Sequence, residues 1–471
     1  MNWFHRRIVI LGMARQGMAL ARYLVVQGAH VTLSDMKPAT ALDAEIQSLN
    51  STLGEGAIAY ALGGHPLSLL DDCDMLCLSG GVPIDLPIVI EAQRRGHAVS
   101  NDSQIFFDVC PAPILGITGS AGKTTTTSLV GEMLRTEYGR CVACDPVAQG
   151  ANHVWVGGNI GNPLIADLHR IAVDDCVVLE LSSFQLEQMT RSPHIACITN
   201  ITPNHLDRHG NMEAYIAAKH HIVDFQSNHD WAVLCADNPI TAAMETAARK
   251  IYYTLNDEPE GDGAWRTASG DLRLRIAAIS IDATLCNTSE LLLMGDHNVL
   301  NVLAASALSA LAGASVESIR AVATTFRGVS HRLQLVREWN GVRYYDDSIA
   351  TAPERLMAAL RCFNRPVILL CGGRDKHLPW ADAVELMSRT CRHAILFGEM
   401  ADMVTEEIDR QHAAVSSKMC TSLEDAVLAA QRLALPGDVV LLSPGGTSFD
   451  AFKDFAERGD VFVQLVNRLG E

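Results

Sequence analysis

The stretch that most constrains the fold of this chain is ILGITGSAGKTTTT, at residues 114–127. Its apolar beginning predicts a buried strand, residues 119–122 predict a tight turn, and the helical pattern from Lys123 onward predicts a helix. A glycine-rich turn and the positive end of a helix dipole together suit a polyphosphate. Lys123 is then expected to reach the terminal phosphates, and the hydroxyl of Thr124 or Thr125 to contact magnesium.

The turn departs from the general phosphate-loop pattern in one place. Ile117 stands where the pattern has its first glycine, five residues before Gly122, and Gly119 lies inside the turn instead. A short apolar turn that merely contains Gly-Lys-Thr is the alternative interpretation. Strand, turn and helix nevertheless follow one another in the order that phosphate binding requires.

Length and charge narrow the class of protein. With 471 residues, the chain is too long for one hydrophobic core and is expected to form about three domains. Its 48% of hydrophobic and 19% of charged residues indicate large cores rather than disorder. The net charge of -17 argues against a nucleic-acid partner, because affinity for nucleic acid depends on lysine and arginine. Ordinary solubility is the simplest reason for the acidity.

Cysteine usage and hydropathy indicate a cytoplasmic protein. The 13 cysteines are scattered singly, often inside apolar runs, and no signal peptide is recognised, which is typical of reduced thiols. Cys141 and Cys144 form a CxxC, but no second pair follows at metal spacing, so a zinc or redox role is the weaker alternative there. The longest apolar helical run, at residues 299–312, is too short to span a bilayer, and no membrane insertion is expected.

The N-terminal region has the pattern of a nucleotide-binding βαβ unit. Residues 7–11 and 30–35 are predicted strands, with a glycine turn at 12–17 and a helix between them. Ala14 stands where a dinucleotide fingerprint has its middle glycine, so a nicotinamide cofactor is not specifically indicated. A further strand is predicted at 74–79, and the glycine loop after it lies where open α/β sheets bind ligands.

Two polar side chains follow apolar strands in the central region. Glu180 ends a predicted strand at 176–180, and the strand at 195–201 runs out toward His205. Adjacent parallel strands are expected to bring both side chains to the sheet edge that carries the phosphate-binding turn. Taken singly, these residues and Lys219 on the next helix are more simply explained as solvated surface. Jointly, Glu180 and His205 predict a magnesium site.

A third α/β block begins after residue 328. Loops rich in glycine, hydroxyl groups and charge follow the predicted strands of this block, which lie at 342–345, 367–370, 394–397 and 439–442. Such loops at one sheet edge predict a binding face. Before this block, residues 251–289 are less regular and suggest a variable insertion with β-turns, followed by a long apolar helix that opens near Asp296.

Four strings of residues together resemble the Mur ligases, the ATP-dependent amide-forming family of peptidoglycan synthesis. They are LELSSFQLE at 179–187, DHNVLN at 296–301, SHRLQ at 330–334 and LLSPGGTSFDAFKDFAERG at 441–459. The resemblance covers essentially the whole chain and implies an α/β fold of three domains. These are a Rossmann-like N-terminal domain at 1–112 that binds a UDP-sugar, a central P-loop ATPase-type domain at 113–329, and a C-terminal Rossmann-like, amino-acid-binding domain at 330–471.

The resemblance also implies a reaction. ATP phosphorylates the carboxylate of UDP-N-acetylmuramoyl-L-alanine, and the amine of D-glutamate attacks the resulting acyl phosphate, so that phosphate leaves from a tetrahedral intermediate. ATP and two magnesium ions are the implied cofactors, and the protein is expected to be a cytoplasmic monomer. A sister ligase that adds L-glutamate or another amino acid is the alternative within the family.

Site residues follow from the same resemblance. The residues implied to act in catalysis are Lys123, His205, Lys219 and Arg332. The implied ATP contacts are Gly119, Ser120, Ala121, Gly122, Lys123, Thr124, Thr125, Asn298, Asn301, Arg332 and Asp347, with the two asparagines near the adenine. One magnesium is implied to be held by Thr124, Thr125 and Glu180, and the second by His205 and by Lys219 in carbamylated form.

Substrate-binding residues are implied in the two outer domains and beside the central strands. The implied UDP-sugar contacts are Gly12, Met13, Ala14, Asp35, Ser79, Gly80, Asn159, Ser182 and Gln185, of which the last three are placed for the alanyl end. Glutamate is implied to be held by Thr351, Lys376, Ser448 and the backbone near Phe455, with Lys376 pairing one carboxylate.

Two positions depart from the family pattern. Ala121 replaces a usual asparagine near the phosphates, and Ile349 replaces a usual lysine near the reacting glutamate, which leaves the hand of the glutamate open. Arg374 is one candidate to restore the missing positive charge. Other classes that the sequence leaves open are folylpolyglutamate synthase, a nucleotide-binding regulatory protein without chemistry, and a nicotinamide dehydrogenase.

Overall fold

A computed structural model describes residues 2–144, 153–159, 161, 163–256, 258–293 and 295–470, except for the side chains of 140–144 and 207. The chain divides into two compact units. The first comprises Met1–Leu291 and Asp296–Thr325, and the second comprises Leu292–Gly295 and Phe326–Glu471. The CxxC side chains, at 141 and 144, lie outside the described part, so no zinc or redox role is tested there.

The first sheet lies in the first unit and consists of five parallel strands in the order β3-β2-β1-β4-β5. Its strands are β1 (Arg7–Leu11), β2 (His30–Asp35), β3 (Ile58–Leu62), β4 (Met75–Leu78) and β5 (Ala98–Asn101). The helices of this region are α1 (Arg15–Val26), α2 (Asp43–Leu53), α3 (Pro87–Arg94) and α4 (Asp102–Val109). The apolar residues of β1 and β2 are buried in the core between sheet and helices, and both strands have the predicted bounds.

The second sheet, also in the first unit, has nine strands in the order β14-β13-β12-β11-β10-β9-β6-β8-β7. They are β6 (Ile114–Thr118), β7 (Val154–Gly158), β8 (Cys176–Glu180), β9 (Ile195–Ile198), β10 (Trp231–Cys235), β11 (Arg249–Thr254), β12 (Gly263–Arg266), β13 (Asp271–Ile276) and β14 (Ile281–Asn287). The helices are α5 (Lys123–Cys144), α6 (Ser183–Leu186), α7 (Leu206–His209), α8 (Met212–Asp224), α9 (Pro239–Ala242), α10 (Asp296–Leu311) and α11 (Val316–Thr325).

Strand β6, which leads into the predicted phosphate loop, lies inside this sheet and is buried at every residue. It pairs in parallel with β8 on one side and with β9 on the other. The expectation that the strands of Glu180 and His205 are neighbours was therefore wrong, because the phosphate-loop strand separates them. Both strands still end at the same sheet edge as β6, since all three are parallel.

Residues 251–289 are more regular than predicted. They contain β12, which extends the parallel part of the sheet, and the antiparallel strands β13 and β14. Alternating apolar residues of β13 are buried, as expected for a strand with one face on a core. The apolar helix α10 follows as predicted and packs against α5, the helix of the phosphate loop.

The third sheet makes up the second unit and has six strands in the order β15-β16-β20-β17-β18-β19. Its strands are β15 (Gln334–Trp339), β16 (Val342–Asp346), β17 (Val367–Gly372), β18 (Cys391–Phe397), β19 (Ser416–Met419) and β20 (Val439–Gly445). Its helices are α12 (Pro353–Leu360), α13 (Ala381–Thr390), α14 (Ala401–Arg410), α15 (Leu423–Leu433) and α16 (Phe455–Asn467). Among the described strand pairs of this third sheet, only β15–β16 is antiparallel. The central strands β16, β20 and β17 end at one edge, where their three loops were predicted to meet.

The predicted α/β class with parallel-rich sheets is confirmed. Short 3-10 helices complete the description, at Ala39–Ala41, Leu67–Leu70, Leu164–Ala166, Leu168–Arg170, Ala277–Ile279 and Thr288–Glu290. In the described part of the chain, none of the helices combines the length and the apolar character that a bilayer crossing demands.

Candidate active site

The turn between β6 and α5 needs glycine at two positions. Gly119 and Gly122 have φ of 147° and 86°, in a region that side chains rarely adopt. A Cβ on Gly119 would collide with Oγ1 of Thr199, and a Cβ on Gly122 would collide with Oδ1 of Asn301. Backbone conformation and close packing therefore both fix these glycines.

The end of β9 holds the turn in place. Asn200 accepts from the backbone N–H of Ser120 through its carbonyl at 2.8 Å, and from that of Ala121 through its side chain at 2.9 Å. The hydroxyl of Thr199 donates to the carbonyl of Ala121 at 2.6 Å. The N–H groups of Ser120 and Ala121 thus support the turn, whereas the N–H groups in the first turn of α5 lack helical acceptors and suit an anion.

Thr124 and Glu180 meet at the sheet edge, as the sequence predicted. The hydroxyl of Thr124 donates to Oε2 of Glu180 at 2.7 Å, and the side chain of Asn159 donates to Oε1 at 2.8 Å. Glu180 is only 2% exposed, so its carboxylate is fixed between these two donors. A hydroxyl and a carboxylate oxygen at the start of a phosphate-binding helix are ligands that suit Mg²⁺. Thr125, the other candidate hydroxyl, is buried.

Two lysine amines converge on one carbonyl oxygen. Nζ of Lys123 donates to the carbonyl of Gly119 at 2.8 Å, and Nζ of Lys219 donates to the same oxygen at 2.9 Å. Burial, together with the charge of Lys123, holds the pKa of Lys219 well below its usual value, although Glu180 opposes this shift. The Nζ of Lys219 also lies 4.9 Å from the ring centre of Tyr215. The site therefore shifts Lys219 toward its neutral amine form.

His205 lies beyond the end of β9, at the start of α7. Its backbone is left-handed, with φ of 53°, its side chain is exposed, and its ring is edge-on to Phe184 at 5.3 Å. Among the described residues, no group of three or more histidine, cysteine, aspartate or glutamate side chains is arranged to hold a metal ion. The unmodified Lys219 is also a poor ligand, so the residues fit one magnesium at Thr124 and Glu180 better than a second at His205.

Asn298 and Asn301 lie on α10 beside the phosphate loop. The side chain of Asn301 accepts from Oγ1 of Thr126 at 3.3 Å and donates to Oδ1 of Asn298 at 3.1 Å. Asn301 is buried and packs against Gly122, so its observed contacts help to position the turn.

The predicted UDP-sugar residues of the first sheet lie together. The carboxylate of Asp35 accepts from the backbone N–H of Met13 at 2.8 Å and from that of Lys37 at 2.9 Å. Gly12 packs against the buried Ser79, because a Cβ there would lie 3.1 Å from that of Ser79. The ends of β1, β2 and β4 thus form one cleft edge, consistent with the topological rule for ligand sites. Ala14 and Gly80 are exposed at this edge.

Ser182 and Gln185, expected near the alanyl end, bond to each other and to the first sheet. Ser182 caps α6 and donates to Oε1 of Gln185 at 2.9 Å, while Nε2 of Gln185 donates to Ser103 at 2.9 Å. The side chain of Asn101 donates to the carbonyl of Gln185 at 2.8 Å. Gln185 is buried, and its observed contacts join the first and second sheets within the first unit.

Buried Arg458, on α16, organises the loops of the second unit. Its guanidinium donates to Oγ and to the carbonyl of Ser348 at 3.0 and 2.8 Å, and to the carbonyl of Gly446 at 3.2 Å. Burial lowers its pKa to about 10, although Asp450 and Asp346 oppose this. Sequence reasoning missed this residue, because an arginine on an amphipathic helix normally faces solvent.

Asp347 lies at the end of β16 and is almost fully buried. Burial raises its pKa to about 7. The hydrogen bonds that its carboxylate accepts, from the hydroxyl of Ser443 at 2.9 Å and from the N–H of Leu333 at 3.1 Å, act in the opposite direction and lower the pKa. The charge of Arg332, the other nucleotide contact predicted in this unit, also lowers the pKa of Asp347. Asp347 is thus poised to change protonation near neutral pH.

The four predicted glutamate residues belong to the second unit. Nζ of Lys376 donates to Oγ1 of Thr351 at 3.1 Å. The carbonyl of Phe455 accepts from Oγ of Ser348 at 2.7 Å, and Ser448 is buried in the loop that follows β20. Ser348, for which the sequence predicted no role, links this backbone to Arg458.

Residues that sequence reasoning missed also support the phosphate loop. Thr199 and Asn200 directly follow β9, so the strand-end argument that found Glu180 would have found them. Tyr215 lies four residues before Lys219 on α8, and therefore on the same helical face. Its hydroxyl is 2.9 Å from that of Ser120.

The fold and the site define a class: an α/β protein with a phosphate loop whose threonine meets a buried carboxylate. Three family descriptions match the chain, "Mur ligase MurD-like, N-terminal domain" at residues 6–101, "Mur ligase middle domain" at 117–309 and "Mur ligase, glutamate ligase domain" at 331–446. The chain belongs to the Mur ligase family, as the sequence motifs predicted.

Individual relatives agree with this assignment. The chain is 40% identical over 465 residues to a UDP-N-acetylmuramoylalanine--D-glutamate ligase of Symbiobacterium thermophilum, covering 98% of each chain. It is 38% identical over 473 residues to the ligase of the same name from Acetivibrio thermocellus, covering 99% of this chain and 97% of the relative. The solved structure of MurF from Acinetobacter baumannii matches with a TM-score of 0.55 at 16% identity, over 98% of this chain and 93% of that one, and shares the fold.

Proposed function

We propose that this chain is an ATP-dependent ligase that joins D-glutamate to UDP-N-acetylmuramoyl-L-alanine in peptidoglycan synthesis. The observation that carries the proposal is full-length similarity: eight relatives with the D-glutamate ligase name are 36–40% identical and are covered over 96–98% of their length. The reaction passes through an acyl phosphate, on which the amine of glutamate displaces phosphate.

The phosphate loop supports the first step of this reaction. A carboxylate must approach a triphosphate, so positive charge has to be concentrated at the transferred phosphate. Lys123 and the N-terminal turn of α5 supply such charge in this otherwise acidic protein. Mg²⁺ held by Thr124 and Glu180, with Thr125 in support, would neutralise phosphate oxygens. We assign the remaining ATP contacts to Gly119, Ser120, Ala121, Gly122, Asn298, Asn301, Arg332 and Asp347.

Carbamylation of Lys219 accounts for a lysine in this buried position. Its lowered pKa favours the neutral amine, whose nitrogen adds to the carbon of CO₂ with release of one proton, and the product is an anion. A carbamate there would replace repulsion toward Lys123 by attraction and, with His205, would provide ligands for a second Mg²⁺. Labelled bicarbonate should give an NMR carbamate signal in the native protein that Lys219→Met lacks.

The substrates are assigned to sites within each unit. The UDP-sugar is proposed to bind at Gly12, Met13, Ala14, Asp35, Ser79 and Gly80, with its alanyl end toward Asn159, Ser182 and Gln185. Glutamate is proposed to bind in the second unit at Thr351, Lys376, Ser448 and the backbone of Phe455. We further propose that the protein acts as a monomer in the cytoplasm.

Phosphate release tests the proposal directly. The native protein should release phosphate from ATP only when both UDP-N-acetylmuramoyl-L-alanine and D-glutamate are present, and Lys123→Ala should lower the rate at least about 100-fold. Lys418→Ala, on the exposed strand β19, is the matched control and should retain full activity. Preference for L-glutamate would overturn the substrate assignment, and absence of release with any amino acid would overturn the ligase reaction.

A further inference from the structure

A second cation, Arg355, lies beside the residues proposed to bind glutamate and takes no part in the functions proposed above. Arg355 lies in the first turn of α12, and its Nη1 lies 3.4 Å from the backbone oxygen of Ile349. The backbone N–H of Thr351 donates to the same oxygen at 2.9 Å. Thr351 in turn holds Lys376 through its hydroxyl at 3.1 Å. Arg355 and Lys376 therefore flank one short loop, from Ile349 to Thr351.

The described contacts give Arg355 little structural purpose. The residues of α12 that pack into the core are Pro353, Leu356, Ala359 and Leu360, and Arg355 is exposed. Within the described residues, neither Arg355 nor Lys376 forms an ion pair with a carboxylate. A cation in the first turn of a helix is also unfavourable, because the helix dipole is positive there.

Other positive groups near this loop are already engaged. Arg374, two residues before Lys376, donates to both carboxylate oxygens of Glu399 at 2.8 and 3.0 Å. Arg458 is buried and binds the backbone of Ser348 and Gly446. The sequence suggested Arg374 as the charge that compensates for Ile349, but its ion pair makes it a poor candidate.

We propose that Arg355 is a substrate-binding residue that pairs one carboxylate of glutamate while Lys376 pairs the other. This inference rests on the proposed function and extends it to specificity. Glutamate carries two carboxylates, and Lys376 is the only positively charged group among the contacts proposed for it so far. The planar guanidinium suits a carboxylate, since it can donate two parallel hydrogen bonds. Requiring both cations explains how the site selects a dicarboxylic amino acid over a neutral one.

Arg355→Gln provides the central test. Phosphate release is measured with saturating ATP and UDP-N-acetylmuramoyl-L-alanine while D-glutamate is varied. Loss of a charge-assisted contact should raise the KM for glutamate about 10- to 100-fold, leave the KM values of ATP and the UDP-sugar within about twofold, and be partly rescued in Arg355→Lys. Arg361→Gln, at the exposed end of the same helix, is the matched control and should behave as the native protein.

Two amide analogues show which interaction is lost. D-glutamine lacks the side-chain carboxylate and D-isoglutamine lacks the α-carboxylate, and both are measured as competitive inhibitors of glutamate. The analogue that lacks the carboxylate paired by Arg355 should inhibit the native protein and Arg355→Gln equally. The other analogue should inhibit Arg355→Gln more weakly than the native protein, by about the same factor as the rise in the KM for glutamate. An unchanged KM for glutamate, equal losses for both analogues, or a rise in all three KM values would overturn the role of Arg355. A native protein inactive with glutamate would instead overturn the proposed function.

Discussion

Replacing Glu180 by glutamine separates its structural role from its proposed role in holding magnesium. The carboxylate is buried and accepts one hydrogen bond from Thr124 at 2.7 Å and one from Asn159 at 2.8 Å. An amide of the same size can accept from Asn159 with its oxygen and donate to the hydroxyl of Thr124 with its nitrogen. Because both contacts survive, the free energy of unfolding should change by less than about 1 kcal/mol.

Activity should respond quite differently. Glu180→Gln removes the negative charge that makes this oxygen pair attractive to a divalent cation. The Mg²⁺ concentration for half-maximal phosphate release should rise at least about tenfold, and kcat should fall about 100-fold.

Thr124→Val is the complementary variant. It keeps the shape of the side chain but leaves Oε2 of Glu180 buried without this donor, which should cost about 1–3 kcal/mol of stability. In the double variant with Glu180→Gln, the two stability losses should not add, because the residues share one contact. Urea midpoints measure stability, and phosphate release against Mg²⁺ concentration measures function. Unchanged magnesium dependence in Glu180→Gln would refute the metal role, and a stability loss above about 3 kcal/mol would show a structural role instead.

Three further predictions concern backbone strain, a buried cation and a buried acid. Gly122→Ala should lose about 2 kcal/mol in urea unfolding because of its left-handed φ and the collision with Asn301, and Asn301→Ala should restore only part of that loss. Arg458→Met should lower the unfolding free energy of the second unit by about 2–4 kcal/mol, since three hydrogen bonds to buried groups are lost; native stability would contradict this. Burial raises the pKa of Asp102 from 3.8 to about 6, so between about pH 4 and pH 6 the folded protein keeps a proton on this carboxyl that the unfolded chain has lost. The free energy of unfolding therefore falls as the pH rises through this range. Asp102→Asn should therefore be more stable than the native protein by up to about 3 kcal/mol at pH 8, with no difference below pH 4, as measured by urea midpoints.

Local patterns predicted the phosphate loop and the strands around it. The features that predict this loop lie within a few residues of one another: an apolar run, Gly119 and Gly122, and a helix that begins at Lys123. The sequence alone is therefore enough to predict the loop. The strand-end rule likewise predicted that Glu180 would lie near the loop, and its contact with Thr124 agrees with that prediction.

Strand order was less predictable, because it depends on how crossovers pack. Sequence order suggested that the strands before Glu180 and His205 are neighbours, whereas β6 lies between them. The same limit applies to Asn200, whose two contacts with the turn arise only because β9 pairs with β6. Contacts that depend on the order of strands in a sheet leave no pattern in the hydrophobic periodicity of the sequence.

Buried charge was the least predictable feature. Arg458 and Lys219 occupy helices whose sequence patterns would normally place charged side chains in water. The structure instead places Arg458 against the backbone of Ser348 and Gly446, and Lys219 against that of Gly119. The contacts of Arg458 with Ser348 and of Lys219 with Gly119 connect residues 110 and 100 positions apart, so they can be recognised only once the fold is known.

The two lysine amines that donate to the carbonyl of Gly119 indicate what kind of group this site binds. Lys123 and Lys219 bond the same oxygen, and two full positive charges so close together in a buried site would repel strongly. A methionine at 219 would avoid both the repulsion and the desolvation that lowers the pKa of this lysine. An amine that is electrostatically unfavourable in the unmodified protein becomes favourable once it carries a negative group, because that group faces Lys123 and any bound cation. The position of Lys219 is therefore better explained by the proposed carbamate than by packing.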